Sequence, residues 1–257
     1  MVHAEDPLLA AAAEHGGIDL VAQTREEMQH AIVAAPPAAD CSPHLHAVIG
    51  PAVKVILDVA LTQRADLVVV GSQGMSGAEK LVFGSTTEGV LRHSDISVLV
   101  VPAGWTAPRP AGVDLAGTGP VIAGVDMSDS SLAGARAACR LASALGTAVE
   151  IVHVVRELAV LARWQPHAAR ALEDRVAEAR KELDRAVNSL GCQVPVEWSV
   201  ETGSVPDRLA VIAGRAADRA PLLVLGKKAP HSGGSAPGTV AYRVLSLADV
   251  PVLMFVD

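Results

Sequence analysis

The sequence has few aromatic residues and few cysteines. Only 2% of its 257 residues are Phe, Trp or Tyr, although 50% are hydrophobic. The core must therefore be built from aliphatic side chains. The three cysteines, Cys41, Cys139 and Cys192, are odd in number and form no Cys-x-x-Cys pair. We therefore expect a protein of the reducing cytoplasm without a disulfide framework.

Charge and hydropathy exclude further classes of protein. The net charge is −7 and no basic tract occurs, which argues against binding to nucleic acid or to acidic membranes. No apolar run approaches the roughly 20 residues of a membrane-spanning helix, and the N-terminus does not resemble a signal peptide. The motifs of P-loop ATPases and α/β-hydrolases are absent, no catalytic nucleophile–base pair is evident, and His44 and His46 lack a third metal ligand.

The most informative pattern that is present is a glycine-rich loop directly after a buried strand at residues 65–70. Glycines let the backbone approach an anion, and the following helix offers free N–H groups at its N-terminus. In α/β sheets this arrangement holds phosphate groups, so we expect a phosphate site here. A purely structural strand-to-helix turn is the alternative. The motif comprises Gly71, Gly74, Gly84, Ser85 and Thr86.

The chain contains an internal repeat. Residues 65–71 match residues 220–226, and the terminal strand at 95–101 matches residues 249–255. Gly50 likewise falls opposite Gly203. The repeat and the Pro/Gly-rich stretch between its copies predict three segments. These are a first domain at residues 1–103, a linker at 104–119 and a second domain at 120–257.

Val-rich strands alternate with Ala-rich amphipathic helices, which predicts a parallel α/β sheet covered by helices. In the first copy we expect strands at 45–49, 65–70 and 96–101 and helices at 53–64, 85–93 and 24–34, the last capped by Thr24 with Glu27. In the second copy we expect strands at 121–126, 149–155 and 194–200 and helices at 130–145, 168–190 and 207–217. Gly146 is the expected C-cap of helix 130–145.

The first copy is shorter at its beginning than the second. The second copy opens with the strand–helix unit at 121–145, whereas the first begins at the next strand, near Val2 and His3. We expect that this sequence starts at an internal position of a longer product.

These residues resemble the universal stress protein family in its tandem form, over nearly the whole chain. The resemblance rests on the glycine motif at residues 71–86, on the terminal strand at 97–102 and on Gly-Val-Asp-Met-Ser at 124–128. It implies two tandem Rossmann-like domains of the adenine nucleotide alpha hydrolase-like type, each a five-stranded parallel sheet of order 3-2-1-4-5, the first incomplete. In this order the first strand is central, so without it the strands near 2–3 and 45–49 of the first copy should lose their hydrogen-bonded link to those at 65–70 and 96–101. It also implies pairing through the last strands, in a homodimer or within one chain.

The resemblance assigns half of an adenine-nucleotide site to each copy. In the first copy the implied residues are Val48, Gly71, Gly74, Gly84, Ser85 and Thr86. In the second copy they are Asp126, Ser128, Gly226, Gly238 and Thr239. Helix capping is the alternative role for Asp126 and Ser128. At Lys227 and Lys228 the second loop departs from the motif. These lysines could replace the glycine loop electrostatically, but we expect instead that they lie in a solvated loop.

The function that these features favour is an ATP- or adenine-nucleotide-binding regulatory protein of the stress response. It would act in the cytoplasm by binding and dimerisation rather than by catalysis, with ATP and Mg²⁺ as the implied cofactors and no nucleic-acid or membrane partner. A slow ATP hydrolase or phosphotransferase is a second hypothesis, for which only Glu79 and Glu88 lie close to the loop in sequence. A nucleotide-free dimerisation scaffold is the third.

Overall fold

The computed structural model describes residues 1–34, 42–72, 84–105, 119–157, 165–215, 217–219, 221–228 and 238–257. The chain forms two compact units, Met1–Asp66 and Leu67–Asp257. The strands are β1 (Val2–Glu5), β2 (His46–Ile49), β3 (Leu67–Gly71), β4 (Ser97–Val101), β5 (Val121–Val125), β6 (Val149–Val155), β7 (Val196–Thr202), β8 (Leu222–Lys227) and β9 (Val252–Val256). The helices are α1 (Pro7–His15), α2 (Leu20–Ala34), α3 (Ala52–Thr62), α4 (Ser85–His93), α5 (Asp129–Leu145), α6 (Gln165–Ser189), α7 (Val205–Gly214) and α8 (Thr239–Leu247).

The first unit contains a two-stranded parallel sheet of β1 and β2, with α1, α2 and α3. The expectation that Thr24 caps a helix is wrong, because α2 begins at Leu20 and the carboxylate of Asp19 accepts a hydrogen bond from the N–H of Ala22 at 3.0 Å. Thr24 is instead buried, and its hydroxyl donates to the carboxylate of Glu5. The tertiary partner on β1 therefore decides the role of this threonine.

The second unit contains a seven-stranded sheet of order β3-β4-β9-β8-β5-β6-β7. Strands β5 to β9 form the complete second copy, and all their pairings are parallel. Numbered within the copy, their order is 3-2-1-4-5, which confirms the predicted fold class. The central strand β5 is buried at all five positions, and its residues pack with alanines of α5 and with Leu183 of α6.

The first copy contributes β3 and β4 to this sheet and β1 and β2 to the other. β3 pairs in parallel with β4, and β4 pairs antiparallel with β9, Leu99 lying opposite Leu253. The terminal strands of the two copies are thus paired within one chain. Among the described strands, the two pairs of the first copy belong to different sheets, as predicted from the sequence.

Two equivalent glycines support the internal repeat. Gly50 and Gly203 both have positive φ, at 154° and 125°. The N–H of Gly50 donates to the carbonyl of Glu5 at 2.9 Å, and the N–H of Gly203 donates to the carbonyl of Val155 at 3.1 Å. Each glycine therefore ends its strand with the same turn, in a region of φ that favours glycine.

The long helix α6 buries Ala179 and Leu183, and Leu190 is buried just after its end. The structure joins Cys139 on α5 to Cys192 after α6 as a disulfide, with Cα atoms 5.3 Å apart. This pair was expected to be reduced, because their separation of 53 residues carries no pairing signal. None of the described helices is both long and apolar enough to cross a bilayer.

Candidate functional site

A cavity of about 210 Å³ lies in the second copy, where the carboxyl ends of β5 and β8 diverge. This is the topological switch point of the sheet, the usual ligand position in open α/β folds. Four of the five predicted residues of the second copy line it, namely Asp126, Ser128, Gly226 and Gly238. Thr239 lines a neighbouring cavity of about 360 Å³. Val205 and Val240 line both cavities.

The turn after β5 is built around Asp126 and Ser128. The Asp126 carboxylate accepts hydrogen bonds from the Ser128 N–H at 3.0 Å and from the Ser128 hydroxyl at 2.6 Å. Ser128 in turn caps α5, accepting from the Ser131 N–H at 3.3 Å. Met127 between them has a φ of 67°, and its side chain packs against the core. The turn is thus held by capping bonds, and it also places a carboxylate on the cavity wall.

The Asp126 carboxyl group remains ionised at neutral pH. Burial raises its pKa, but hydrogen bonds from Ser128, Ser131 and its own backbone outweigh that effect, so the net pKa lies below the ordinary value. An ionised carboxylate is an acceptor only. It can therefore receive hydrogen bonds from amino or hydroxyl groups of a ligand in the cavity.

Gly226 brings the end of β8 against the first turn of α5. A Cβ at Gly226 would overlap the backbone carbonyl of Ser130, and a Cβ at Gly134 would lie 2.9 Å from the Gly226 nitrogen. The sequence motif identified Gly226 but not Gly134. A glycine inside a helix costs roughly 1 kcal/mol relative to alanine. The position of Gly134 within the predicted helix could therefore have indicated that another backbone segment approaches the helix there.

Lys227 does not lie in a solvated loop, and that expectation is wrong. It is the last residue of β8 and is only 6% exposed, whereas the adjacent Lys228 is exposed. Its ammonium group donates to the carbonyls of Leu91 at 2.6 Å and Ser94 at 3.1 Å, at the end of α4. Burial lowers the pKa of Lys227, and the charge of Asp95 opposes the shift. The lysine therefore serves the contact between the two copies.

The neighbouring cavity has a more polar and charged lining. The charged residues Arg156, Glu157 and Arg243 and the hydroxyl residues Ser204 and Thr239 are among those that line it. Sequence reasoning missed both arginines, because they belong to no motif and lie 87 positions apart in the sequence. Their proximity follows from the sheet order, which places the end of β6 near the start of α8.

The predicted residues of the first copy lie in both units. Val48 is on β2 of the first unit, whereas Gly71, Gly84, Ser85 and Thr86 belong to the second unit, and Gly74 lies outside the described residues. The N–H of Gly84 donates to the carbonyl of Ser72 at 3.3 Å, which brings the two ends of the glycine loop together.

Thr87, which the sequence did not single out, ties this loop to its helix. Its buried hydroxyl donates to the carbonyl of Gly71 at 2.7 Å. Ser85 begins α4 and Gly84 is its N-cap residue. The described part of the glycine motif is thus a closed strand-to-helix turn, as both a phosphate site and a purely structural turn would require.

The strand order and the cleft at the switch point define a doubly wound, Rossmann-like α/β protein. The family model for the universal stress protein family matches the chain twice, at residues 2–102 and 118–255. The chain therefore belongs to the universal stress protein family, in a tandem form.

Solved structures support the fold. A functionally unknown protein, PA1789, from Pseudomonas aeruginosa PAO1 is 16% identical, with a TM-score of 0.59, and the match covers 99% of this chain and 80% of that one. A universal stress protein from Archaeoglobus fulgidus DSM 4304 is also 16% identical, with a TM-score of 0.52 and coverage of 92% and 82%. At this identity the similarity concerns the fold alone.

Proposed function

We propose that this chain is an adenine-nucleotide-binding regulatory protein of the stress response, and that its second copy carries the binding site. One observation carries the proposal. Asp126, Ser128, Gly226 and Gly238 converge on a single cavity at the switch point of the complete sheet. The first copy is the weaker candidate, since its assigned residues are divided between two units.

The cavity offers a polar wall and an apolar wall. Asp126 and Ser128 form the polar wall, and Val152, Val154 and Leu209 contribute to the apolar wall. A purine ring can pack against the aliphatic side chains while the carboxylate accepts hydrogen bonds from the nucleoside. The N-terminus of α8, at Gly238, presents N–H groups that favour an anion.

The second copy fits a nucleotide better than it fits a resident metal ion. Among the described residues, no group of three His, Cys, Asp or Glu side chains could hold a metal. Mg²⁺ commonly keeps several waters and is held largely by substrate phosphates. Asp126 and Glu157 are the carboxylates that line the two cavities, and they could contribute to holding a nucleotide-bound ion there.

In this proposal the protein acts in the cytoplasm by binding rather than turnover. Helix α8 begins at the cleft and leads into β9, which pairs with β4 of the other copy. A nucleotide that binds more tightly to one arrangement of α8 would shift the population towards that arrangement. Occupancy of the cleft would thereby be transmitted to the paired terminal strands and to partners that bind them.

Mass spectrometry of the purified chain and calorimetric titration with ATP, ADP and AMP test the proposal. We expect a co-purified or titratable adenine nucleotide, and about tenfold weaker binding in Asp126→Ala, because one charged hydrogen-bond acceptor is lost. Asp129→Ala is the matched control, since Asp129 is the exposed carboxylate of the same helix start. Absence of nucleotide as purified, together with no binding at millimolar concentrations, overturns the proposal.

A nucleotide-free scaffold is the second candidate, and the contact between the copies favours it. The pairing of β4 with β9 and the burial of Lys227 against α4 need no ligand. In that case the empty chain would be fully folded, and its melting temperature would not respond to ATP, ADP or AMP. A rise in the melting temperature with nucleotide would decide against the scaffold.

A further inference from the structure

The two arginines beside the nucleotide cleft suggest where the charged end of a ligand binds. Arg156 follows β6, Arg243 lies on α8, and both line the cavity of about 360 Å³. The salt bridges of the described residues join other side chains, so within that part neither guanidinium has a carboxylate partner. Two arginines that line one cavity and have no carboxylate partner among the described residues favour an anion there.

The surroundings of the arginines add hydrogen-bond donors. The hydroxyl groups of Ser204 and Thr239 line the same cavity. Ser204 precedes α7 and Gly238 precedes α8, and neither residue caps its helix with a side chain. The N–H groups in the first turn of α8 therefore reinforce the positive potential of the arginines, whereas in the first turn of α7 Pro206 has no N–H and Asp207 adds a negative charge.

The opposite side of the cleft offers less to a phosphate. Gly226 is followed by Lys227, Lys228 and Ala229 in place of the second glycine of the motif. Lys227 cannot supply its charge there, because its ammonium group is buried against the end of α4. The motif has therefore lost its second glycine, although Gly226, Gly238 and Thr239 remain, and the two arginines line the neighbouring cavity.

We propose that the second copy binds the phosphate-bearing end of an adenine nucleotide at Arg156 and Arg243 rather than at the altered glycine loop. This inference rests on the proposed function for the choice of nucleotide. Because Val205 and Val240 line both cavities, one ligand can place its nucleoside beside Asp126 and its phosphate beside the arginines. Glu157 in the same lining opposes the anion and weakens its binding.

Calorimetric titrations of the full chain with AMP, adenosine and inorganic pyrophosphate test this subsite. We expect Arg156→Gln and Arg243→Gln each to weaken AMP binding about tenfold while leaving adenosine binding unchanged. Glu157→Gln should strengthen AMP binding, because it removes a like charge. Arg180→Gln, on the exposed side of α6, is the control and should bind AMP like the parent chain. Unchanged melting temperatures would show that the variants fold.

The outcomes of these titrations distinguish failure of the arginine subsite from failure of the nucleotide-binding proposal. If AMP binds equally to the parent chain and to both cleft variants, the arginine subsite is wrong, although nucleotide binding stands. If adenosine and AMP fail to bind but pyrophosphate binds and needs both arginines, the anion subsite is supported and the nucleotide proposal is wrong. If none of the three probes binds, both proposals are overturned.

Discussion

Equivalent strands of the two copies have different surroundings. Val224 of β8 is 1% exposed, whereas its counterpart in the repeat, Val69 of β3, is 58% exposed. In the second copy β8 pairs with β5 and packs against α5. In the described part of the chain β3 is an edge strand that pairs with β4 alone. The comparison shows that the glycine motif and the cleft are separable features, because the fuller motif follows an edge strand whereas the cleft lies beside a strand that is paired on both sides.

The residue that follows the first glycine of each motif also makes different contacts in the two copies. Lys227 and Ser72 occupy equivalent positions after the first glycine of each motif. Lys227 binds the end of α4, whereas the hydroxyl of Ser72 accepts a hydrogen bond from the N–H of Ala103 at 3.1 Å. The two copies are therefore joined asymmetrically, although their terminal strands pair antiparallel.

The largest expected difference in stability is between substitutions at Gly226 and Gly71, which occupy equivalent positions in the two copies. Gly226→Ala should lower the free energy of unfolding by about 3 to 5 kcal/mol, since its Cβ would overlap the backbone of α5. Gly71→Ala should cost about 1 kcal/mol or less, because Gly71 is exposed at the end of the edge strand β3. Urea denaturation of both variants measures the difference. Equal losses would contradict the proposed origin of the asymmetry.

The next effect concerns the paired valines. Val224→Ala removes two buried methyl groups and should cost about 2 kcal/mol. Val69→Ala should cost less than about 0.5 kcal/mol, because this side chain is already largely in water. Chemical denaturation monitored by circular dichroism provides the measurement. A Val69 variant as unstable as the Val224 variant would show that β3 is covered in solution.

The smallest expected difference in stability is between substitutions at the adjacent residues Lys227 and Lys228, and it depends on pH. Lys227→Met should cost about 1 to 2 kcal/mol at pH 7 through two lost hydrogen bonds, whereas Lys228→Met should change stability little. Because the pKa of Lys227 is lower in the folded state, the unfolded chain binds more protons between the two pKa values. The advantage of the parent chain over Lys227→Met should therefore grow as the pH rises from 7 towards 10. A constant difference across this range would contradict the buried position of Lys227.

Much of the second copy could be predicted from local patterns. The strand Val149–Val155 and the helix C-cap at Gly146, with a φ of 67°, agree with the sequence prediction. The first copy was harder, since α1 was not predicted and Thr24 was assigned to a helix start. The reason is physical: a capping signal in the sequence is short, and the buried carboxylate of Glu5 provides Thr24 with a different partner.

The candidate site was predicted in part. Four of the residues that the resemblance assigned to the second copy line one cavity, since Asp126 and Ser128 follow β5, Gly226 lies near the end of β8 and Gly238 precedes α8. Arg156 and Arg243 could not be found, since no motif links residues from β6 and α8. The nucleotide roles of all the assigned residues remain predictions, as do the domain boundaries at 103 and 120.

The sequence by itself determined the repeat, the α/β class and the family, because periodicity and glycine spacing are local properties of the chain. Only the tertiary structure decided that Lys227 is buried between the copies, that Cys139 meets Cys192 and that two arginines share a cavity. These contacts join residues far apart in sequence, and their geometry depends on how the strands are ordered in the sheet.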